Sequence, residues 1–149
     1  MALAVPLVAK WEGLRTTAYL DRIASPPVWT VCYGETEGVQ PREARTEAEC
    51  REGLRQGLVR YRAGLHRSFS PETRQSRLTP HRDAAFTSFA WNVGIGGAGK
   101  STATKRLNAG NIKGACAALT WWNKAGGRVV LGLVNRRTEE HAYCMVGVA

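Results

Sequence analysis

The apolar positions mark out a helix, a short strand-like stretch and then several more helices. Residues 3–13 begin with an almost unbroken apolar run and close at Gly13, which predicts a first helix. Residues 17–40 are rich in Tyr, Val, Thr, Trp, Gly and Pro, and Val28 to Tyr33 has strand composition. Pro26-Pro27 bars regular structure just before that strand, and Gly34 and Gly38 offer turn positions. A small hairpin or three-stranded sheet is expected here. Thr46 and Glu49 have the spacing of a capping box, so a helix is predicted from 46 to 69. Leu54, Leu58, Tyr61 and Leu65 line its apolar face, and Arg51, Arg55, Arg60, Arg62 and Arg67 its other face.

Residues 68–78 are polar and contain Pro71, so a loop or short helical turn is expected. Thr79-Pro80 supplies a cap and a proline at the first helical position. Ala84, Ala85, Phe86, Phe89, Ala90 and Val93 make the helix that follows the expected centre of the core. Gly94, Gly96, Gly97 and Gly99 should end it. Ser101 can cap a short helix to Leu107, and a turn through Gly110 leads to a helix over 111–122. Gly126-Gly127 breaks the chain, and a last helix is predicted from Asn135 to Met145. The order is that of an α+β domain with its sheet segregated to one end.

Composition narrows the function. With 149 residues, 44% of them apolar, the chain suits one domain that buries about 70% of its extended surface. Disorder is excluded. Twenty-one Lys and Arg against 12 Asp and Glu give a formal charge of +9, which calls for an anionic partner. The only aspartates are Asp21 and Asp83, His66, His81 and His141 are scattered, and no CxxC occurs. No metal or cofactor is therefore expected. No stretch reaches the roughly 18–20 apolar residues that span a bilayer. The apolar opening to Ala9 lacks a basic start and is read as a buried helix rather than an export signal. Cys32, Cys50, Cys116 and Cys144 are either buried thiols or two disulfides, with three pairings open. For work outside the cytoplasm, Cys32–Cys50 with Cys116–Cys144 is the favoured set.

Gly94 to Ser101 matches the phosphate-loop pattern letter for letter. Its context rejects that reading. The pattern follows a capped helix instead of a strand, and no later aspartate exists to help hold magnesium. The stretch is expected to be a glycine-rich turn between helices.

Glu12 closes the first helix, Asp21 lies nine residues later, and Thr30 nine beyond that. Two acids held apart, with a hydroxyl nearby, suit glycoside hydrolysis: one acid protonates the leaving oxygen while the other orients water. Six short motifs sharpen this. They are Trp11-Glu-Gly-Leu-Arg15, Ala18-Tyr-Leu-Asp21, Trp29-Thr-Val-Cys-Tyr-Gly34, Phe89-Ala-Trp-Asn-Val-Gly94, Ser101-Thr102 with Leu107-Asn-Ala-Gly110, and Trp122-Asn-Lys-Ala-Gly-Gly127 with Gly132-Leu-Val-Asn-Arg-Arg137. In this order they resemble the phage-type lysozymes, the endolysin family that includes the T4 and lambdoid phage enzymes.

The resemblance implies a lysozyme-like α+β fold, with a small β-containing N-terminal lobe joined by a long helix to a helical C-terminal lobe. Within a single 1–149 domain the lobes would cover about 13–50 and 70–149, the N-terminal helix being added and 46–69 linking them. It implies inverting hydrolysis of the β-1,4 bond between N-acetylmuramic acid and N-acetylglucosamine. Glu12 would be the general acid, and Asp21 with Thr30 would hold the attacking water. Arg15, Trp29, Glu35, Asn92, Arg136 and Arg137 are the candidate substrate contacts. Trp91 and one of Trp121 and Trp122 are expected in the core, and Asn92 must find partners if it is buried. Arg136 and Arg137 would begin the last helix, where positive charge is unfavourable. The implied protein is a monomer that acts on bacterial peptidoglycan, without nucleic acid or stable membrane insertion. It would wait in the host cytoplasm and then reach the periplasm and wall through a separate membrane pore.

The chain departs from this pattern in two places. Close relatives space Asp and Thr about six residues apart, so extra chain falls within Arg22 to Pro27 and must bulge outward for Thr30 to align. Many relatives also carry His-Thr after Tyr-Gly, where this chain has Glu35-Thr36. Two rival readings remain. The arginine face of residues 51–67 would suit a nucleic-acid binder, and the loop insertion would suit a wall binder without catalysis.

Overall fold

The computed structural model describes all 149 residues, which divide into two units: Val5–Gly57, and Met1–Ala4 with Leu58–Ala149. Helix α1 (Ala4–Glu12) buries Leu7 and Val8 and half-buries Trp11, and Gly13 (φ 71°) turns the chain out of it. Pro6 is tolerated because it sits in the first helical turn, where backbone N–H groups have no intrahelical partner. Strands β1 (Arg15–Asp21) and β2 (Val28–Cys32) pair antiparallel, with the register irregular between Arg15 and Tyr19. A third segment joins β1 through the Thr17–Ala44 bridge, where the Ala18 N–H donates to Glu43 O at 2.7 Å. Both sequence expectations are thus met in part, by a hairpin with a bridged third segment. Val31, Cys32, Tyr33, Val39, Cys50 and Leu54 fill the interior of this unit, and Cys32 is bonded to Cys50.

The capping box forms as its spacing predicts. The Thr46 N–H donates to Glu49 Oε2 at 2.9 Å, and the Glu49 N–H to Thr46 Oγ1 at 3.1 Å. Helix α2 (Glu47–His66) then runs from the small unit into the larger one. Its arginine face is largely paired internally. Arg51 meets Glu47 at 3.7 Å, Arg55 meets Glu52 at 2.7 Å, and Arg62 meets Asp83 at 2.6 Å. Hydrogen bonds from Arg55 and Gln56 pull the Glu52 carboxyl down to about 2.

The larger unit is mostly helical. A π-helical turn (Thr73–Arg77) precedes α3 (Pro80–Val93), capped by Thr79 Oγ1, which accepts from the Arg82 N–H at 3.2 Å. Residues Ala84 to Ala90 are all buried. Ala85, Phe86, Phe89 and Ala90 form the core with Leu65, Phe69, Leu107, Cys116, Leu119 and Cys144, each fully buried Leu or Phe contributing about 1.5–3 kcal/mol. The glycine-rich stretch corrects the sequence reading. It is helix α4 (Ile95–Lys100), entered through Gly94 (φ 95°), not a turn. Small residues are needed for close packing there, since a side chain at Gly99 would meet Ser68. The phosphate-loop pattern therefore lies on a helix, and both sheets of the protein are two-stranded and antiparallel.

Ser101 caps α5 (Thr102–Asn108) as expected, and Asn111 caps α6 (Ile112–Leu119). Gly126 and Gly127 do more than break the chain. Both have positive φ and turn a minimal hairpin, β3 (Lys124–Ala125) with β4 (Arg128–Val129). Helix α7 (Leu131–Met145) begins four residues earlier than Asn135. Arg136 and Arg137 therefore lie past its first turn, which removes the expected conflict with the helix dipole. A second disulfide, Cys116–Cys144, ties α6 to α7. No helix is long and apolar enough to cross a membrane.

Candidate active site

Glu12 is the last residue of α1 and is half-buried. Gly13 ends the helix directly after it, so the carboxylate stands where the chain turns into β1. Asp21 ends β1. Its Oδ1 accepts from the Ile23 N–H at 2.9 Å and the Ala24 N–H at 3.4 Å, an Asx-type turn that fixes the carboxylate against the loop. Residues 22–27 project as the hairpin connection, with a cis Ser25-Pro26 bond.

The ladder decides whether the insertion misplaces Thr30. Asp21 pairs with Val28, Leu20 with Trp29, and Tyr19 with Thr30. Side chains alternate along a strand, so Asp21, Tyr19, Val28 and Thr30 share one face of the hairpin, and Asp21 and Thr30 are diagonal neighbours there. Residues 22–27 all lie in the connection, and the pairing from Asp21–Val28 to Tyr19–Thr30 is regular. Thr30 is buried, and its Oγ1 donates to Val28 O at 3.2 Å. Trp29, half-buried, belongs to the opposite face. Arg15 is exposed, with its guanidinium 4.3 Å from the Tyr19 ring centre, which brings it beside the Asp21 face.

Glu35 has a structural partner. It pairs with Arg45 at 2.8 Å, and its backbone closes a bridge with Val31. The hydrogen bond that the Arg45 guanidinium donates to Glu35 holds it above its usual pKa. Asn92 is exposed at the end of α3, so no buried amide needs partners there.

Arg136 and Arg137, the candidate ligand or ion-pair residues, are both buried. Both converge on Glu140, itself fully buried. Its Oε1 accepts from Ser88 Oγ at 2.7 Å, Arg137 Nη2 at 2.9 Å and Arg136 Nε at 3.3 Å. Arg137 Nε also stands 2.7 Å from Oε2, too poorly aligned to count as a hydrogen bond. Burial pushes the Glu140 carboxyl up and the Arg137 guanidinium down, while each partner pulls the other back. This cluster was missed in the sequence although its signal was present: Glu140 lies three and four residues after the two arginines, the spacing of a helical ion pair. Trp91 is half-buried against Tyr61, at 4.8 Å between ring centres. Trp121 and Trp122 are both exposed, so neither of that pair is core. No group of three or more His, Cys, Asp or Glu side chains is placed to hold a metal ion.

The chain matches the family model for phage lysozyme over residues 9–140. It is 37% identical to the SAR-endolysin of Bacteriophage PS119 over 137 residues, which is 91% of this chain and 77% of that protein. It is 33% identical to the endolysin of Bacillus phage B103, covering 96% of this chain and about half (52%) of that relative. Among solved structures, the endolysin from Escherichia coli O157:H7 phage FAHEc1 superposes with a TM-score of 0.82 at 26% identity, over 99% of this chain and 94% of that one. The muramidase domain of SpmX from Asticaccaulis excentricus gives 0.83 at 25% identity, over 97% and 96% of the two chains. With the hairpin, long helix and helical unit as described, the chain belongs to the phage lysozyme family of glycoside hydrolases.

Proposed function

We propose that the protein is an endolysin that hydrolyses, with inversion, the β-1,4 bond between N-acetylmuramic acid and N-acetylglucosamine in peptidoglycan. The observation that carries this reading is the shared hairpin face of Asp21 and Thr30, in the same unit as Glu12 at the end of α1. Glu12, protonated, gives its proton to the glycosidic oxygen as the bond to the anomeric carbon breaks. The oxygen of a water on the opposite face of the sugar bonds to that carbon as Asp21 takes the water's proton, and the Thr30 hydroxyl orients that water. The amides of Ile23 and Ala24 occupy Asp21 Oδ1 and leave Oδ2 for the water. Arg15, stacked on Tyr19 of that face, would contact substrate.

The charge of +9 draws the enzyme to wall carboxylates and phosphates, more strongly at low salt. Two disulfides suit action outside a reducing cytoplasm. The protein would act as a monomer in the periplasm and wall, after waiting in the host cytoplasm for a membrane pore. Lysis of outer-membrane-stripped cells by Glu12→Gln protein tests the assignment. Loss of lysis is expected, and full lysis would sink the role of Glu12. The first sugar released should carry the α-anomer by NMR, while the β-anomer would mean retention. Anhydro-muramic ends would instead indicate a lytic transglycosylase.

A further inference from the structure

The distribution of charge along the chain points to a surface that the proposed chemistry does not use. Residues 84–138 contain eight Lys and Arg and no Asp or Glu, so nearly all of the +9 excess lies in this stretch. Arg136 and Arg137 within it are buried against Glu140, and the other six basic residues have no acid near them in sequence. The same stretch exposes apolar bulk: Trp121 is 55% exposed, Trp122 38% and Leu131 72%.

The two tryptophans and two of the lysines meet in an open groove of about 480 Å³ lined by Lys100, Ser101, Thr102, Trp121, Trp122 and Lys124. Both indoles are held in place. Trp122 packs edge-on to Phe89 at 5.4 Å, and the Arg106 guanidinium covers Trp121 at 4.8 Å. Neither lysine forms an ion pair, and both are exposed, as is Thr102. Ser101 is spent internally, its hydroxyl donating to Ala98 O at 2.6 Å. Two fixed, solvent-facing indoles leave apolar area in water, which is the mark of an interaction surface. An indole face suits the apolar face of a sugar ring, and the flanking ammonium groups suit carboxylates.

We propose that this groove binds the glycan strand of peptidoglycan, with a sugar ring against Trp121 and Trp122 and peptide-stem carboxylates on Lys100 and Lys124. The assignment rests on the hydrolase reading for its choice of polymer. It adds a wall-holding site on the helical unit, built from residues given no part in the chemistry.

Co-sedimentation with purified sacculi tests it, in a Glu12→Gln background so that the wall survives. Trp121→Ala and the double variant Lys100→Gln with Lys124→Gln should each raise the half-saturating wall concentration by about tenfold. On strands stripped of stem peptides by an amidase, the lysine variant should bind like its parent and Trp121→Ala should stay weaker. Binding to sacculi that neither variant changes overturns the site. An equal loss by the lysine variant on stripped strands overturns the carboxylate assignment. Preferential binding of the parent to phosphatidylglycerol vesicles, lost in both variants, would assign the groove to a lipid surface instead. The hydrolase reading is scored separately by lysis with the unsubstituted chain, so either can fail alone. The lysines are exposed surface residues, so the double variant remains informative if Trp121→Ala misfolds.

Discussion

Asp21 and Thr30 stand two ladder pairs apart on the same face of the β1–β2 hairpin, although they lie nine positions apart in the chain. Asp21→Asn should keep the two loop hydrogen bonds, because the amide oxygen accepts as the carboxylate does. It removes the proposed base, so hydrolysis of sacculi should fall by about 10²–10⁴-fold. The midpoint of urea unfolding should hardly move. A large loss of stability would show that Asp21 is structural.

The loop has a task of its own, because the Ile23 N–H is the shorter of the two donors to Asp21. Ile23→Pro deletes that donor, whereas Ile23→Ala keeps it and trims a side chain that is 97% exposed. The alanine variant should match the parent. The proline variant should lose about tenfold in kcat with KM little changed, as a misaimed group costs rate more than binding. Steady-state kinetics on soluble muropeptide chains separates the two. Equal activity in both variants would show that the Asx turn does not position Asp21.

Local signals were legible wherever one residue's chemistry decides the backbone. Thr46 with Glu49, Thr79 with Pro80, and Ser101 each announced a helix start that forms. Motif order singled out Glu12, Asp21 and Thr30 as candidates, and the ladder register puts Asp21 and Thr30 on one face of the hairpin. Signals that depend on packing partners were less legible. Gly96, Gly97 and Gly99 lower helix propensity, yet α4 forms because close contacts such as Gly99 on Ser68 favour small residues. Arg136 and Arg137 read as candidate ligands or ion-pair partners, but the buried partner, Glu140, shows only in the structure. One of Trp121 and Trp122 reads as core from hydrophobicity alone, which cannot distinguish a buried indole from one displayed to solvent.

Glu140 offers a stability test independent of catalysis. Glu140→Gln preserves an acceptor for Ser88 but leaves the buried Arg137 without its carboxylate. Breaking a buried pair from one side costs about 3–5 kcal/mol, read as a lower urea midpoint with an unchanged slope. A loss under about 1 kcal/mol would mean that water replaces the carboxylate at Arg137.

Asp83 sets an expectation for acid. Burial works to raise its pKa, but hydrogen bonds from His66 at 2.8 Å and Arg62 at 2.6 Å outweigh it and hold the carboxyl below its ordinary value. A depressed folded pKa adds stability above the unfolded value, and that stability is lost as pH falls through the folded one. Asp83→Asn should therefore cost about 1–2 kcal/mol at pH 7, the lower part of the range for charged hydrogen bonds because Arg62 is partly exposed. The difference from the parent should shrink below about pH 4. Urea melts at neutral and acidic pH check this, and a constant difference would exclude Asp83 as its source.

The two disulfides should be separable in their effects. Cys32–Cys50 spans 18 residues and ties the end of β2 to the first turn of α2, and Cys116–Cys144 spans 28 and ties α6 to α7. Chain-entropy arguments give each about 3 kcal/mol. The pair Cys116→Ser with Cys144→Ser acts on two helices that line the main core, so it should lower the urea midpoint while leaving specific activity near that of the parent at low temperature. The pair Cys32→Ser with Cys50→Ser loosens the sheet that carries Asp21 and Thr30, so it should reduce kcat even where the protein remains folded. Identical kinetics for both double variants under native conditions would show that the first disulfide stabilises the fold without aiming the hairpin.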